Sequence, residues 1–173
     1  MIIDAVMPLL VEYGSDITSK QIAEAAGLAE GTIFRAFGDK ETLLRAAADK
    51  FFDPDTVRAE LRSIDASLDL HARITAIIEM LQKRMQGMFR VLTALGRREP
   101  PSHPVRDTFG DIVTELLAAD IARLSWPPRR IAHALRLVAF ASSIPEFQAS
   151  TGFTPPELAS LVLYGVTTKE DDA

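Results

Sequence analysis

The sequence predicts an all-α fold, and three observations carry that expectation. Apolar residues recur at spacings of three and four, most plainly at Leu70, Ile74, Ile77, Ile78, Leu81, Met85, Met88, Phe89 and Leu92. Helix start and stop residues bracket the patterned stretches, with Thr18 and Asp39 as starts and Gly14 and Gly27 as stops. No stretch shows the two-residue alternation of a half-buried strand, and there is no internal repeat or low-complexity tract.

Composition narrows the class. At 173 residues, 47% apolar and 25% charged, the chain suits one full domain or a small and a medium one together. No apolar run approaches the roughly 20 residues that cross a bilayer. The opening MIIDAVMPLL lacks the basic flank and cleavage site of a signal peptide, so no membrane partner and a cytoplasmic location are expected. There is no cysteine, and His71, His103 and His133 are scattered, so neither a metal site nor a cofactor is expected. A Gly-rich phosphate loop, H-E-x-x-H and G-x-S-x-G are all missing, which speaks against an enzyme.

The first helix spans about 2–13, with Ile3, Val6, Leu9 or Leu10, and Tyr13 on one face and Gly14 as its C-terminal cap. Pro8 removes a backbone donor inside it, so a late start or a kink is expected. The second, about 19–26, has a capping box of Thr18 and Gln21 and a staple of Ile17 with Ile22. Gly27 ends it in a left-handed conformation, with Leu28 packed under the turn. A third helix covers about 30–36. Asp39 caps a fourth that begins at Lys40 and carries Leu43, Leu44, Ala47 and Phe51.

The stretch DPDT at 53–56 interrupts the pattern and is the candidate boundary between parts 1–52 and 53–173. Beyond it come one long helix, with a possible bend near Gly87, a proline-rich loop GRREPPSHP at 96–104, and a helix carrying Phe109 through Leu124 that WPP closes at 126–128. The last two helices, about 129–147 and 155–167, are apolar on more than one face, the second with Thr154 as cap and prolines in its first turn.

Two-turn helices are marginal alone, so 19–26 and 30–36 must be held by their neighbours. Ala23 is small enough to let the second approach, and Ile33 fills the crossing, the assembly of a helix-turn-helix around Gly27. In that motif the second helix presents its outward side chains to the major groove of DNA. Here these are Thr32, Arg35 and Ala36, with Ala29, Glu30 and Gly31 at the leading end and Arg35 the candidate base reader. Lys40, Thr18 and Ser19 stand at helix starts, where free amides favour a phosphate. The alternative for Arg35 is a plain solvated side chain, and for Lys40 an ordinary first-turn residue.

The segment ITSKQIAEAAGLAEGTIFRAFGDKETLL, 17–44, resembles the N-terminal module of the TetR family of bacterial transcription regulators. The alanine and glycine of the turn, G-T-I-F, Phe37 and K-E-x-L-L carry the resemblance, which covers about residues 2–52. It implies a TetR-like fold: an N-terminal three-helix helix-turn-helix DNA-binding domain followed by a helical ligand-binding and dimerisation domain. It further implies a homodimer that binds a palindromic operator, usually as a repressor, and releases it to a small-molecule effector. The family's DNA contacts would fall on Thr18, Ser19, Thr32, Phe34, Arg35 and Lys40.

Three departures stand out. Glu30 replaces a common lysine, Ala29 replaces the usual serine cap, and the basic arm before the first helix is not in this sequence. Residues 1–52 hold five Lys or Arg against eight Asp or Glu. The expectation is weak operator binding, or native residues preceding Met1. The rival reading is a dimeric interaction protein that keeps the motif but not the DNA. In the second part, Met80, Met85, Met88 and Phe109 are candidates to line an adaptable effector cavity, against plain core packing. The helices at about 129–147 and 155–167 are the candidate dimer surface, since little protein is left to cover them.

Overall fold

The computed structural model of the chain describes residues 1–96, 108–144 and 152–166, the side chains of residues 165 and 166 excepted. Nine α-helices are described: α1 Ile2–Tyr13, α2 Ser19–Ala26, α3 Glu30–Phe37, α4 Lys40–Phe52, α5 Pro54–Arg62, α6 Leu70–Ala94, α7 Thr108–Leu116, α8 Pro128–Ala141 and α9 Pro155–Val166. Short 3-10 turns occupy Gly14–Asp16 and Ala118–Arg123. Among the described residues no helix is long and apolar enough to cross a membrane.

The chain divides into two compact units. The first joins Met1–Thr56 to a second stretch that opens at Gln86. Its core is built by Val6 and Leu10 of α1, Ile22 of α2, Ile33 of α3, Leu43, Ala47 and Phe51 of α4, and Val91 from the last turns of α6. Gly87 explains how α6 comes so near: a Cβ there would stand 2.9 Å from Val11 Cγ1 and 3.2 Å from Phe51 Cζ. Arg90, one turn on, donates to the Glu12 carbonyl at 3.0 Å and to that of Val11 at 3.3 Å. These are terminal carbonyls of α1 without a helical partner, so Arg90 closes that helix from outside.

The second unit takes Val57–Met85 and the described residues from Thr108 onward. Leu61, Ile74, Ile77, Ile78, Ile112, Leu117, Ile131, Leu135 and Leu158 form its core. Arg73 is 5% exposed within it, held by Asp120 at 2.9 Å and by the carbonyls of Leu116 at 2.8 Å, Ala66 at 3.0 Å and Leu68.

Four sequence expectations change. Helix α1 runs unbroken through Pro8 from Ile2, so it does not start late; Pro8 is exposed, while Val6 and Leu10 anchor the opposite side. The stretch after Asp53 is itself a helix, because the proline that interrupts α4 sits at the start of α5, where its missing N–H costs nothing. Asp53 Oδ1 accepts from the Asp55 amide at 2.8 Å, and Val57, Leu61 and Ile64 face the core.

The helix expected through Leu124 stops at Leu116 and tightens into a 3-10 turn, because Arg73 takes the Leu116 carbonyl and the Asp120 side chain. Helix α8 ends at Ala141 rather than near 147, where Ser142 and Ser143 turn their hydroxyls back onto the carbonyls of Val138 and Ala139, each at 2.6 Å. Residues 145–147, His103 and nearly all of the proline-rich loop lie outside the described residues.

Candidate nucleic-acid interface

Local chemistry sets the boundaries of the α2–α3 pair, the start of α3 excepted. Thr18 Oγ1 accepts from the Gln21 amide at 3.2 Å, and Gln21 Oε1 accepts from the Thr18 amide at 2.8 Å, which closes the capping box. Gly27, at φ 63° and ψ 30°, ends α2 in the left-handed region, and the Leu28 amide reaches back to the Ala23 carbonyl at 3.1 Å. Ala29 then caps α3 with extended backbone but no side-chain bond. Gly38, at φ 82°, ends α3, and Asp39 Oδ1 accepts from the Thr42 amide at 2.7 Å to start α4. That amide holds the Asp39 carboxyl below the usual carboxylate range.

Packing fixes which face of α3 is left over. Ile33 and Ile22 are fully buried, and Ala23 lies against the same core. Phe34 and Phe37 are half-buried beside Ile33. Gly31, Thr32, Arg35 and Ala36 are exposed together. Residues three and four apart share a helix face, so these four form one outward strip.

The sequence-derived contacts meet different fates. Thr32 and Arg35 stand on the strip, and Phe34 lies at its margin. Ser19 is half-buried at the first position of α2. The Thr18 hydroxyl already serves its cap, donating to Gln21 Oε1 at 3.0 Å as well as accepting from the amide. Lys40 is half-buried, and its Nζ donates to the Ser15 carbonyl at 3.2 Å. Gly31 and Ala36, both expected from the helical period to face outward, complete the strip although neither bears a polar side chain.

Of the four effector candidates, Met80 and Phe109 belong to the core of the second unit, while Met88 packs in that of the first. Met85 is half-buried at the last position of the second unit's first stretch. The described histidines are both exposed, and His71 Nε2 is hydrogen-bonded to Ser160 Oγ at 3.0 Å.

A packed head of short helices with an exposed helix after a glycine turn is the construction of a helix-turn-helix module. Residues 2–47 match the family described as bacterial regulatory proteins, tetR family. The fold is similar to that of the TetR transcriptional regulator SCO0520 from Streptomyces coelicolor, at 26% identity and a TM-score of 0.60, over 97% of each chain. It is also similar to a transcriptional regulator from Rhodococcus sp. Rha1, at 17% identity and a TM-score of 0.54 over 96% of each, a likeness of fold alone. No curated protein is significantly similar in sequence. Residues 2–47 thus carry the N-terminal module of the tetR family, and the chain as a whole is similar in fold to a TetR transcriptional regulator.

Proposed function

We propose that this regulator works in the cytoplasm as a homodimer on a palindromic operator, as a repressor that a small molecule releases. The exposed strip of α3 is the observation that carries the reading: Thr32 and Arg35 reach the major groove, with Phe34 at the edge. Thr18, Ser19 and Lys40 lie at the starts of α2 and α4 and approach the phosphate backbone. Two such heads about 34 Å apart would meet one face of B-form DNA.

Apolar exposure in the second unit supports pairing. Leu137 and Phe140 on α8 and Leu161 and Tyr164 on α9 stand in solvent, with Tyr164 87% exposed. Large apolar side chains grouped this way mark a surface that a second copy covers. Effector binding then acts as a population shift, favouring a dimer whose heads no longer match the groove. Met80 and Phe109, which share one core, are the side chains we assign to the effector's surroundings.

The test is titration of the protein into duplexes from upstream of its own gene at two salt concentrations. Specific binding that weakens steeply with salt supports the reading. A protein that binds no duplex even at low salt refutes it.

A further inference from the structure

The first unit carries few cations with a free donor set. Among its described lysines and arginines, Lys20 lies 3.8 Å from Glu24 and Lys40 gives its ammonium to Ser15. Lys50 pairs with Asp4, Arg45 with Glu41, and Arg90 donates to two carbonyls of α1. Arg35 alone has neither ion pair nor hydrogen bond, and it stands in the middle of the exposed strip of α3.

Its surroundings are cleared as well. A helical side chain leans toward the N-terminus, over the residue four positions back. For Arg35 that residue is Gly31, which has no side chain, and nothing stands within 4 Å of where its Cβ would be. The guanidinium can therefore lie along the strip with all five donors available. Thr32 and Ala36, on the same strip, offer a methyl each. Glu30 lies about 140° around the helix from Arg35 and does not share this face.

We propose that Arg35 sets the operator sequence: each half-site carries one obligatory guanine, read at O6 and N7 by the Arg35 guanidinium. A neighbouring thymine presents its methyl to Thr32 or Ala36. The planar fork of an arginine matches the two acceptors of guanine in the major groove, and small apolar groups suit the thymine methyl. This rests on the operator-binding reading above, which names the groove but not the base.

Selection of bound duplexes from a randomised pool tests it, run with the wild type, Arg35→Ala and Arg35→Lys. The wild type should recover symmetric half-sites with one dominant guanine, preferred over other bases by roughly 5- to 150-fold. Arg35→Ala should lose that preference at that position only, and Arg35→Lys should keep the affinity better than the preference. Replacing the selected guanine by 7-deazaguanine, which lacks the N7 acceptor, should weaken the wild type and leave Arg35→Ala unchanged.

If Arg35→Ala weakens all sequences equally and lowers the salt slope by about one, Arg35 is a phosphate contact and the proposal is overturned while operator binding stands. A guanine preference that survives in Arg35→Ala overturns it too. Recovery of no sequence at any salt concentration removes the operator-binding reading itself.

Discussion

Arg73 of α6 and Asp120 form an ion pair at 2.9 Å with side-chain exposures of only 6% and 13%. Removing one partner leaves a charge buried without its counterpart, which typically costs about 3–5 kcal/mol. Three carbonyls remain on Arg73, so Asp120→Ala should sit near the lower end, at about 3 kcal/mol by urea unfolding. Arg123, which also pairs with Asp120, is 66% exposed. Arg123→Ala should change stability by no more than about 0.5 kcal/mol.

Helix α3 starts with no side-chain cap at Ala29, although its backbone, at φ −70° and ψ 143°, already has the extended geometry a cap requires. Ala29→Ser should stabilise the protein by about 1 kcal/mol, and Thr18→Ala, which opens the box on α2, should destabilise it by a similar amount. Thermal unfolding of both variants checks this. Equal midpoints would show that end effects on α2 and α3 are absorbed elsewhere.

Two glycines of the first unit are required for different reasons. Gly27 has open space around it but a positive φ, so Gly27→Ala should cost about 1–2 kcal/mol through backbone strain. Gly87 has helical backbone but no room, so Gly87→Val should cost about 1–3 kcal/mol through overpacking against Val11 and Phe51. Only the second should improve when Val11→Ala is added, and a double-mutant cycle measures that coupling.

Acid should loosen the same unit first at its carboxylates. The Asp4 carboxyl is lowered from 3.8 to about 2 by the hydrogen bond from Lys50 and then by that of the Met1 ammonium. A depressed carboxylate stabilises the fold fully above its ordinary value, and the benefit disappears as pH falls from about 4 through 2. Asp39 and, in the second unit, Glu157 shift in the same direction through their capping bonds. Denaturant midpoints should therefore fall over that window, and Asp4→Asn should flatten part of the slope. A midpoint independent of pH there would contradict the Lys50 pairing.

The proposed pairing of two copies predicts that Leu137→Asp with Leu161→Asp yields a monomer by sedimentation. Both side chains are more than half exposed, so the fold itself should survive. DNA affinity should drop because two linked heads become one.

Cap chemistry made the head readable. Thr18 with Gln21, Gly27 and Asp39 act within three or four residues, so their geometry follows from order along the chain. The exposure of Thr32 and Arg35 follows from the helical period in the same way. Long-range partners were not readable. Nothing near Leu116 announces that Arg73 will take its carbonyl, and nothing near Lys40 announces Ser15. Asp53-Pro54 was half readable: one dipeptide signals both a helix end and a helix start, here it is both, and only the end was expected.

Gly87 and Arg90 carry a practical lesson for anyone building chimaeras from this chain. Grafting residues 1–56 onto another protein would strip Val11 and Phe51 of their neighbour and leave two carbonyls of α1 without a donor. A transplant that keeps the parent's core must bring the last turns of α6, Gln86 to Ala94, along with it.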